Sequence, residues 1–294
     1  MIFFSLFFNA LILNQFNMKK IFFVSFLFQF IILFSQKNTR IYYEKNRDTI
    51  TYYADNQELF PVSFVFSAQP ELENMNKPEA FKMTQVLPSK SLKNKIAYFV
   101  VNDKTKRWAV KKMPGYLIYI GDITLKTYDS GYVYDLPFPK GKSFNVYQGY
   151  NGKFSHQNEN SIDFSMPEGT EILAAREGLV VDLVKHNNSG CAEINCANQA
   201  NYITILHPDG TFAQYYHLKQ NGVLVNIGDQ VKKGDIIGLS GNTGWSNGPH
   251  LHFVTYLSDS KGDKLRTTLK TLFRTGNGSK TEFVSEKKTY SKNY

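Results

Sequence analysis

The sequence predicts an all-β protein made of a small N-terminal β domain and a second, larger β domain. Short runs rich in β-branched and aromatic residues alternate with clusters of turn-forming residues. The N-terminal part shows no convincing amphipathic helix longer than two or three turns. The 294 residues, 42% of them hydrophobic, are enough to bury the cores of two modest domains.

The N-terminal segment predicts export. Residues 2–13 are apolar, and Met18-Lys19-Lys20 is followed by a second apolar run of about 14 residues. This pattern is typical of a cleaved secretory signal that begins at Met18 and ends near residue 36. The second run is too short to span a bilayer comfortably, since about 20 apolar residues are needed. We therefore expect a protein of the periplasm, the cell envelope or the medium that meets a membrane only through its signal segment.

Residues 37–133 read as the N-terminal β domain. Its predicted strands cover residues 40–55, 61–67, 96–101 and 116–120, and the clusters KNRD, NDKTK and MPG separate or interrupt them. This stretch contains no constellation of catalytic residue types, so its residues predict a fold but no role.

Residues 134–275 read as the second domain, and residues 276–294 as a C-terminal tail whose last dozen residues are loosely held. Residues 201–207 and 211–217 predict a hairpin around Pro208-Asp209-Gly210. Residues 171–175 and 178–184 are expected to pair around the short connection between them.

The formal charge of +9 suits a partner that carries carboxylates or phosphates. The sequence has no arginine-rich run with interleaved aromatic residues, so a nucleic-acid partner is not predicted. The two cysteines, Cys191 and Cys196, favour a disulfide that closes a small loop in an exported chain. The alternative is a pair of zinc ligands, but their spacing is long and no second pair exists.

All six histidines lie between residues 156 and 252. His250 and His252 stand on a predicted strand, so both imidazoles point the same way, about 7 Å apart. One could hold a metal ion while the other reaches the molecule that the ion binds. His156, seven residues before Asp163, extends this cluster along the chain.

His156, Asp163 and His252 would supply a catalytic zinc site, which uses three protein ligands and leaves a fourth position for water. A lone histidine is more often a core or surface residue, and the hypothesis rests on the combination. The sequence has no His-Glu-x-x-His helix, so proton transfer would fall to histidine, a role that suits His217 and His250. His217 alone could equally make a backbone hydrogen bond at the end of its hairpin. His186 and His207 fit structural roles better.

Residues from about 134 to 275 resemble the lysostaphin-type, LytM-like zinc metalloendopeptidases, which cleave peptide bonds in bacterial cell-wall peptidoglycan. The resemblance implies an antiparallel β-sheet with a substrate groove, Zn²⁺ as cofactor and peptidoglycan peptides as substrate. It also implies metal ligands at His156, Asp163 and His252, and action on water and substrate by His217 and His250. Which of these two is the general base stays open. The segments that carry the resemblance are SHQNENSIDFSMPEGTEILAAREGLVV, NYITILHPDGTFAQYYHL, VNIGDQVKKGDIIGLSGNTG and GPHLHF.

The first motif departs from the family. Its commonest form has three residues between His and Asp, whereas six separate His156 from Asp163. The commonest spacing falls on Asn160, and Glu159, one residue before it, is a less favoured ligand. We keep Asp163, because the cost of closing a loop rises slowly with its length.

Several readings stay open. Trp245 and Tyr216 could line the groove or pack in the core. Alternative functions are an exported protease acting on extracellular proteins or rival walls, and a non-catalytic envelope protein that binds or activates a wall hydrolase. The N-terminal domain could position the enzyme or cover its groove. The bond cleaved, any activation partners and the oligomeric state are not predicted. Three glycines are expected to allow the tight turns that aim the His-x-His strand, namely Gly241, Gly244 and Gly248.

Overall fold

The computed structural model describes residues 38–261 and 265–294. The predicted signal segment, residues 1–36, lies outside the described residues. The fold is nearly all β, as the sequence predicted. None of the helical segments in the described part of the chain has the length and hydropathy needed to cross a bilayer. The chain divides into two compact units, Met1–Asp122 and Ile123–Tyr294.

The described residues of the first unit form three small antiparallel sheets. Strand order is β1-β2-β7-β5 in the largest sheet, β6-β3-β9 in the second and β4-β8 in the third. The positive φ of Arg47 marks the tight turn between β1 and β2. The strands are β1 (Thr39–Asn46), β2 (Thr49–Asn56), β3 (Val62–Phe66), β4 (Glu71–Glu73), β5 (Met75–Asn76), β6 (Thr84–Leu87), β7 (Ser91–Val101), β8 (Ala109–Lys112) and β9 (Tyr116–Ile120).

In its described residues the second unit contains further strands and the short 3-10 helix Ile194–Gln199. Its strands are β10 (Val133–Tyr134), β11 (Ser143–Gln148), β12 (Ser161–Ser165), β13 (Glu171–Leu173), β14 (Gly178–Val184), β15 (Gly190–Cys191), β16 (Tyr202–Leu206), β17 (Phe212–Tyr216), β18 (Leu218–Val223), β19 (Gln230–Val231), β20 (Ile236–Ser240), β21 (Gly244–Trp245), β22 (His250–Ser258), β23 (Arg266–Leu269), β24 (Leu272–Thr275), β25 (Lys280–Phe283) and β26 (Thr289–Ser291).

A large antiparallel sheet forms the frame of the second unit, with strand order β19-β14-β16-β17-β22-β12-β11-β26 and β23 paired to β22. The predicted hairpin is confirmed, since β16 pairs with β17 from Tyr202–Tyr216 to Leu206–Phe212. Smaller sheets with orders β10-β24-β25, β13-β20-β18 and β15-β21 complete the unit.

Two expectations about this unit were wrong. The strands β13 and β14 do not pair with each other, because β13 pairs with β20 and β14 pairs with β16 and β19. The end of the chain is not loosely held, because β26 pairs with β11 and buries Tyr290. In both cases the true partner lies far away in the sequence.

Successive side chains of β22 point alternately to the hydrophobic core and to the face that carries the histidines. Leu251 and Phe253 are fully buried and belong to the main hydrophobic core. His250 and His252 project from the opposite face of the strand. On β12, Ile162 and Phe164 likewise enter the core, which leaves Asp163 on the histidine face. The sheet thus holds the polar side chains on a rigid, well-packed support.

Candidate metal centre

Two adjacent strands and one loop bring His156, Asp163 and His252 together. Asp163 on β12 lies directly opposite His252 on β22, and His156 comes from the loop between β11 and β12. Asp163 Oδ1 is 2.9 Å from His252 Nδ1, and its Oδ2 is 3.2 Å from His156 Nε2. The nearest nitrogens of the two imidazoles are 3.2 Å apart. One ligand atom from each residue falls within 4.8 Å of the others.

The donor set fits a zinc ion. His156 Nδ1–H donates to the Gly149 carbonyl at 3.0 Å, which leaves the Nε2 lone pair facing the Asp163 carboxylate. Two acceptors at that separation repel, so a proton lies between them when no cation does: burial would lower the pKa of His156, but its hydrogen bond with Asp163 raises it. Tetrahedral zinc with N and O ligands at about 2.0–2.2 Å requires ligand atoms roughly 3.3 Å apart. The observed separations therefore suit such an ion.

Asp163 is held as a carboxylate. It is almost fully buried, and burial alone would raise its pKa, but the hydrogen bonds and charges of His156 and His252 outweigh burial and hold the pKa well below its usual range. For His252 burial dominates and lowers the pKa, which favours the neutral imidazole. An anionic Asp163 beside a neutral His252 is the protonation pattern that metal ligation needs, and His156 would release its proton on binding the ion.

His217 and His250 form a second pair beside the three clustered residues. Their ring centroids are 4.5 Å apart, and His250 Nε2 is 3.7 Å from Asp163 Oδ1. His250 Nδ1–H donates to the Gly248 carbonyl at 2.8 Å, and His217 Nδ1–H donates to the Thr243 carbonyl at 2.7 Å. Both rings therefore carry their lone pair on Nε2.

His217 is in an unusual backbone conformation. Its φ is +64°, in the left-handed region that residues with side chains seldom adopt, and it follows directly after β17. Burial, together with the neighbouring His250 and His252, lowers the pKa of His217 to about 3. The side chain is thus a neutral imidazole at physiological pH and can accept a proton or a hydrogen bond at Nε2.

Glu159, the alternative first-motif ligand, is not part of the cluster. Its carboxylate is 3.3 Å from a guanidinium nitrogen of Arg266 and accepts a hydrogen bond from the Ser161 hydroxyl at 3.2 Å. The longer loop lets Asp163, rather than Glu159, meet His156.

Tyr147 lies beside the centre, and sequence reasoning missed it. Between β11 and β12 the register shifts, so that Val146 faces Phe164 and Gln148 faces Asp163, which leaves Tyr147 as the extra residue of a β-bulge. Its ring packs edge-on to His250 with centroids 5.3 Å apart. Burial and the charge of Asp163 raise its pKa, so it keeps its hydroxyl proton. The sequence of this segment, FNVYQG, contains no residue pattern that predicts a bulge.

Aromatic rings lie beside His252 and along the loop that carries His156. The Tyr216 ring is edge-on to His252, with centroids 5.7 Å apart. The Trp245 ring meets the exposed Phe154 ring at 6.0 Å, and the Trp245 indole N–H donates to the Ala192 carbonyl at 3.0 Å. Trp245 therefore does not pack in the core.

The prediction that the backbone requires glycine at positions 241, 244 and 248 is confirmed at the first two. A Cβ at Gly241 would overlap the backbone of Lys219, and Gly244 combines a φ of +82° with close packing against Ala200. At Gly248 the expectation was wrong, since a Cβ there would meet no described atom within 4 Å and its φ is not among the positive ones.

The remaining residues singled out in the sequence lie elsewhere. Cys191 and Cys196 form a disulfide, in the loop that carries Ala192. His207 is buried at the far end of β16, where its Nδ1–H donates to the Glu177 carbonyl at 2.7 Å. His186 is exposed.

An all-β unit that gathers two histidines and an aspartate, with two more histidines beside them, has the organisation of a metallopeptidase. Residues 157–264 match the model of peptidase family M23. The chain thus contains an M23 peptidase domain, homologous to the lysostaphin-type endopeptidases and to peptidoglycan DD-endopeptidases, as its motifs predicted.

Three relatives illustrate the match. Glycyl-glycine endopeptidase ALE-1 of Staphylococcus capitis is 32% identical over 170 residues, 58% of this chain and 40% of that protein. Peptidoglycan DD-endopeptidase ShyA of Vibrio cholerae is 39% identical over 94 residues, 32% of this chain and 19% of that protein. The crystallised catalytic domain of lysostaphin from Staphylococcus simulans is 31% identical, with 43% of this chain and 87% of that domain covered and a TM-score of 0.32. The chain spans less than half the length of the two full-length relatives.

Proposed function

We propose that the protein is an exported zinc-dependent endopeptidase that cleaves peptide bonds in bacterial peptidoglycan. The observation that carries the proposal is the convergence of His156, Asp163 and His252 beside the His217–His250 pair. Relatives named as peptidoglycan and glycyl-glycine endopeptidases support peptide cross-links or stems as the substrate.

His156, Asp163 and His252 would hold the ion. Zinc bound there would polarise the scissile carbonyl and lower the pKa of water toward neutrality. Because two neutral imidazoles and one carboxylate leave a divalent ion with a net charge of about +1, the site would favour negative charge that develops on the carbonyl oxygen.

His217 and His250 would carry out the proton transfers of the hydrolysis. Each ring is fixed by an Nδ1–H bond to a backbone carbonyl, so each presents Nε2 in one orientation. An imidazole in this setting can accept the proton of the attacking water, hold the developing oxyanion once protonated, and return the proton to the departing amine.

The disulfide and the charge support an extracytoplasmic site of action. Disulfides persist in oxidising compartments, and Cys191 and Cys196 are bridged in this chain. The net charge of +9 suits anionic wall polymers, with an affinity that falls as salt increases. The signal beginning at Met18 remains a prediction from the sequence.

Digestion of purified sacculi tests the proposal. We expect the zinc-loaded full chain to release muropeptides with new amino termini, detectable by amine labelling and mass spectrometry. His250→Ala should reduce the rate by at least about 100-fold, as expected when a proton-transfer group is lost. Parallel sacculi with glycine cross-bridges and with direct cross-links identify the bond.

The outcomes separate the competing functions. Cleavage of glycine-rich proteins with no release from sacculi would favour a protease for extracellular proteins. Zinc binding with no hydrolysis of any substrate, but stimulation of a separate wall hydrolase, would favour a non-catalytic envelope protein.

A further inference from the structure

Gln148, the last residue of β11, is a buried amide whose hydrogen-bonding capacity is fully used. Its Nε2 donates to Asp163 Oδ2 at 2.9 Å and to the Ser155 hydroxyl at 2.8 Å. Its Oε1 accepts from the backbone N–H groups of Phe154 and Ser155, both at 3.1 Å. A glutamine offers two donors and two acceptor lone pairs, and all four are engaged.

The β-bulge at Tyr147 brings Gln148 to this position. Across the sheet the register aligns Gln148 with Asp163, and Asp163 with His252. Without the extra residue, Tyr147 would take the place opposite Asp163, and Gln148 would fall out of this row. The bulge thus directs the Gln148 amide, as well as the Tyr147 phenol, toward the Asp163 carboxylate.

Gln148 also fixes the loop that carries His156. The two N–H groups that it binds belong to the residues just before His156 in sequence. Gly152 leaves room for this arrangement, since a Cβ there would overlap Gln148 Cγ. One side chain therefore contacts both the carboxylate of the centre and the backbone next to one of its histidines.

We propose that Gln148 is a positioning residue for the metal centre, an inference that rests on the proposed function. Six residues separate His156 from Asp163, and a loop of that length does not define their relative placement by itself. Gln148 links the two directly, because its NH₂ group orients the Asp163 carboxylate while its carbonyl holds residues 154–155. Groups that bind metal ligands in this way raise metal affinity by reducing the freedom of those ligands.

The test is Gln148→Met, which keeps an unbranched side chain of similar length but removes all four hydrogen bonds. We expect the affinity of the full chain for Zn²⁺, measured by competition with a chromophoric chelator, to fall about 10–100-fold. With Co²⁺ as the probe, the visible absorption bands should shift in energy and intensity, because the carboxylate changes its orientation.

Gln214→Met is the matched control. Gln214 lies on β17 of the same sheet and bonds to Thr204 and Arg266, not to the clustered residues. Its replacement should leave Zn²⁺ affinity and the Co²⁺ spectrum at their wild-type values. A drop equal to that of Gln148→Met would show a general effect of glutamine loss and overturn the proposal.

Two further measurements separate an effect of Gln148 on zinc binding from an effect on folding. If metal-free Gln148→Met has the wild-type thermal midpoint and still binds zinc with wild-type affinity, the proposal is wrong. If that variant does not fold, Ser155→Ala decides, since it removes one acceptor of the Gln148 amide. A few-fold loss of affinity supports the proposal, and no loss overturns it. A wild-type chain that binds zinc but does not cut sacculi contradicts the proposed function alone.

Discussion

His250 and His252 face the same carboxylate from one strand, yet their ring nitrogens are engaged differently. His252 Nδ1 lies 2.9 Å from Asp163 Oδ1. His250 Nδ1–H instead donates to the Gly248 carbonyl, and His250 Nε2 lies 3.7 Å from Asp163 Oδ1. This difference supports a division in which His252 binds the ion and His250 acts on the molecules around it.

The division predicts opposite behaviour of two alanine variants. His252→Ala should lose zinc, because two ligands remain, and added zinc should no longer raise its thermal midpoint. His250→Ala should keep one zinc per chain and the zinc-dependent stabilisation, but lose hydrolysis by at least about 100-fold. Metal analysis after gel filtration and thermal unfolding with and without zinc provide the readouts. Equal loss of zinc in both variants would contradict the division.

At this scale the sequence predicted the histidines and the aspartate that the structure brings together, but not the residues that support them. The spacing of His250 and His252, with strand alternation, was enough to place both imidazoles on one face. Tyr147 and Gln148 could not be found in this way. Their positions depend on a bulge, which arises from the register between β11 and β12 and has no local sequence signal.

Among the elements, the disulfide loop shapes the border of the centre. Cys191 pairs with Trp245 where β15 meets β21, and the Ser246 N–H donates to the Cys191 carbonyl at 2.9 Å. The Ser246 hydroxyl is in turn 3.1 Å from His250 Nδ1. The 3-10 helix that contains Cys196 has no buried residue, so the disulfide and hydrogen bonds such as that from the Ser189 hydroxyl to Gln199 Oε1 at 2.7 Å hold it.

Replacing both cysteines by serine should loosen this loop without unfolding the unit. Closing a loop of this size contributes at most about 2 kcal/mol by chain entropy, and little apolar surface holds the loop otherwise. We expect amide hydrogen exchange at residues 187–199 to accelerate while β16 keeps its protection. Zinc affinity should not change, because the clustered residues lie on other elements. Faster exchange throughout β16 would contradict a local role for the disulfide.

The strand pairings show where local reasoning works. The β16–β17 hairpin was predictable because Pro208-Asp209-Gly210 is a short-range turn signal. The partner of β13 is β20, more than 60 residues later, and β26 pairs with β11, far earlier in the chain. Such long-range pairings are chosen by burial in the folded unit, so neighbouring strands in the sequence were a poor guide.

For the molecule as a whole, the buried His207 couples the stability of the second unit to pH. Burial lowers the pKa of His207 to about 4. The unfolded chain binds this proton near pH 6.5, before the folded chain does. Stability that is present at neutral pH is therefore lost as the pH falls from about 6.5 toward 4. Between pH 7 and pH 5 this one group removes about 2 kcal/mol from the free energy of unfolding.

His207→Phe tests this coupling. The phenyl ring can keep the edge-on contact with Tyr134, while the hydrogen bond to the Glu177 carbonyl is lost. We expect a lower free energy of unfolding at pH 7 but a decrease between pH 7 and pH 5 that is about 2 kcal/mol smaller than in the parent. Urea unfolding of the metal-free protein, followed by Trp245 fluorescence in a Trp108→Phe background, reports on the second unit alone.

His186→Gln is the control for this experiment, because His186 is exposed in a polar loop. It should show the same loss of stability between pH 7 and pH 5 as the parent. Other acid-sensitive groups, His217 among them, act equally in all three proteins and cancel in the comparison. If His207→Phe loses as much stability as the parent between the two pH values, burial of His207 is not a source of the acid sensitivity, and the groups of the metal centre become the ones to test.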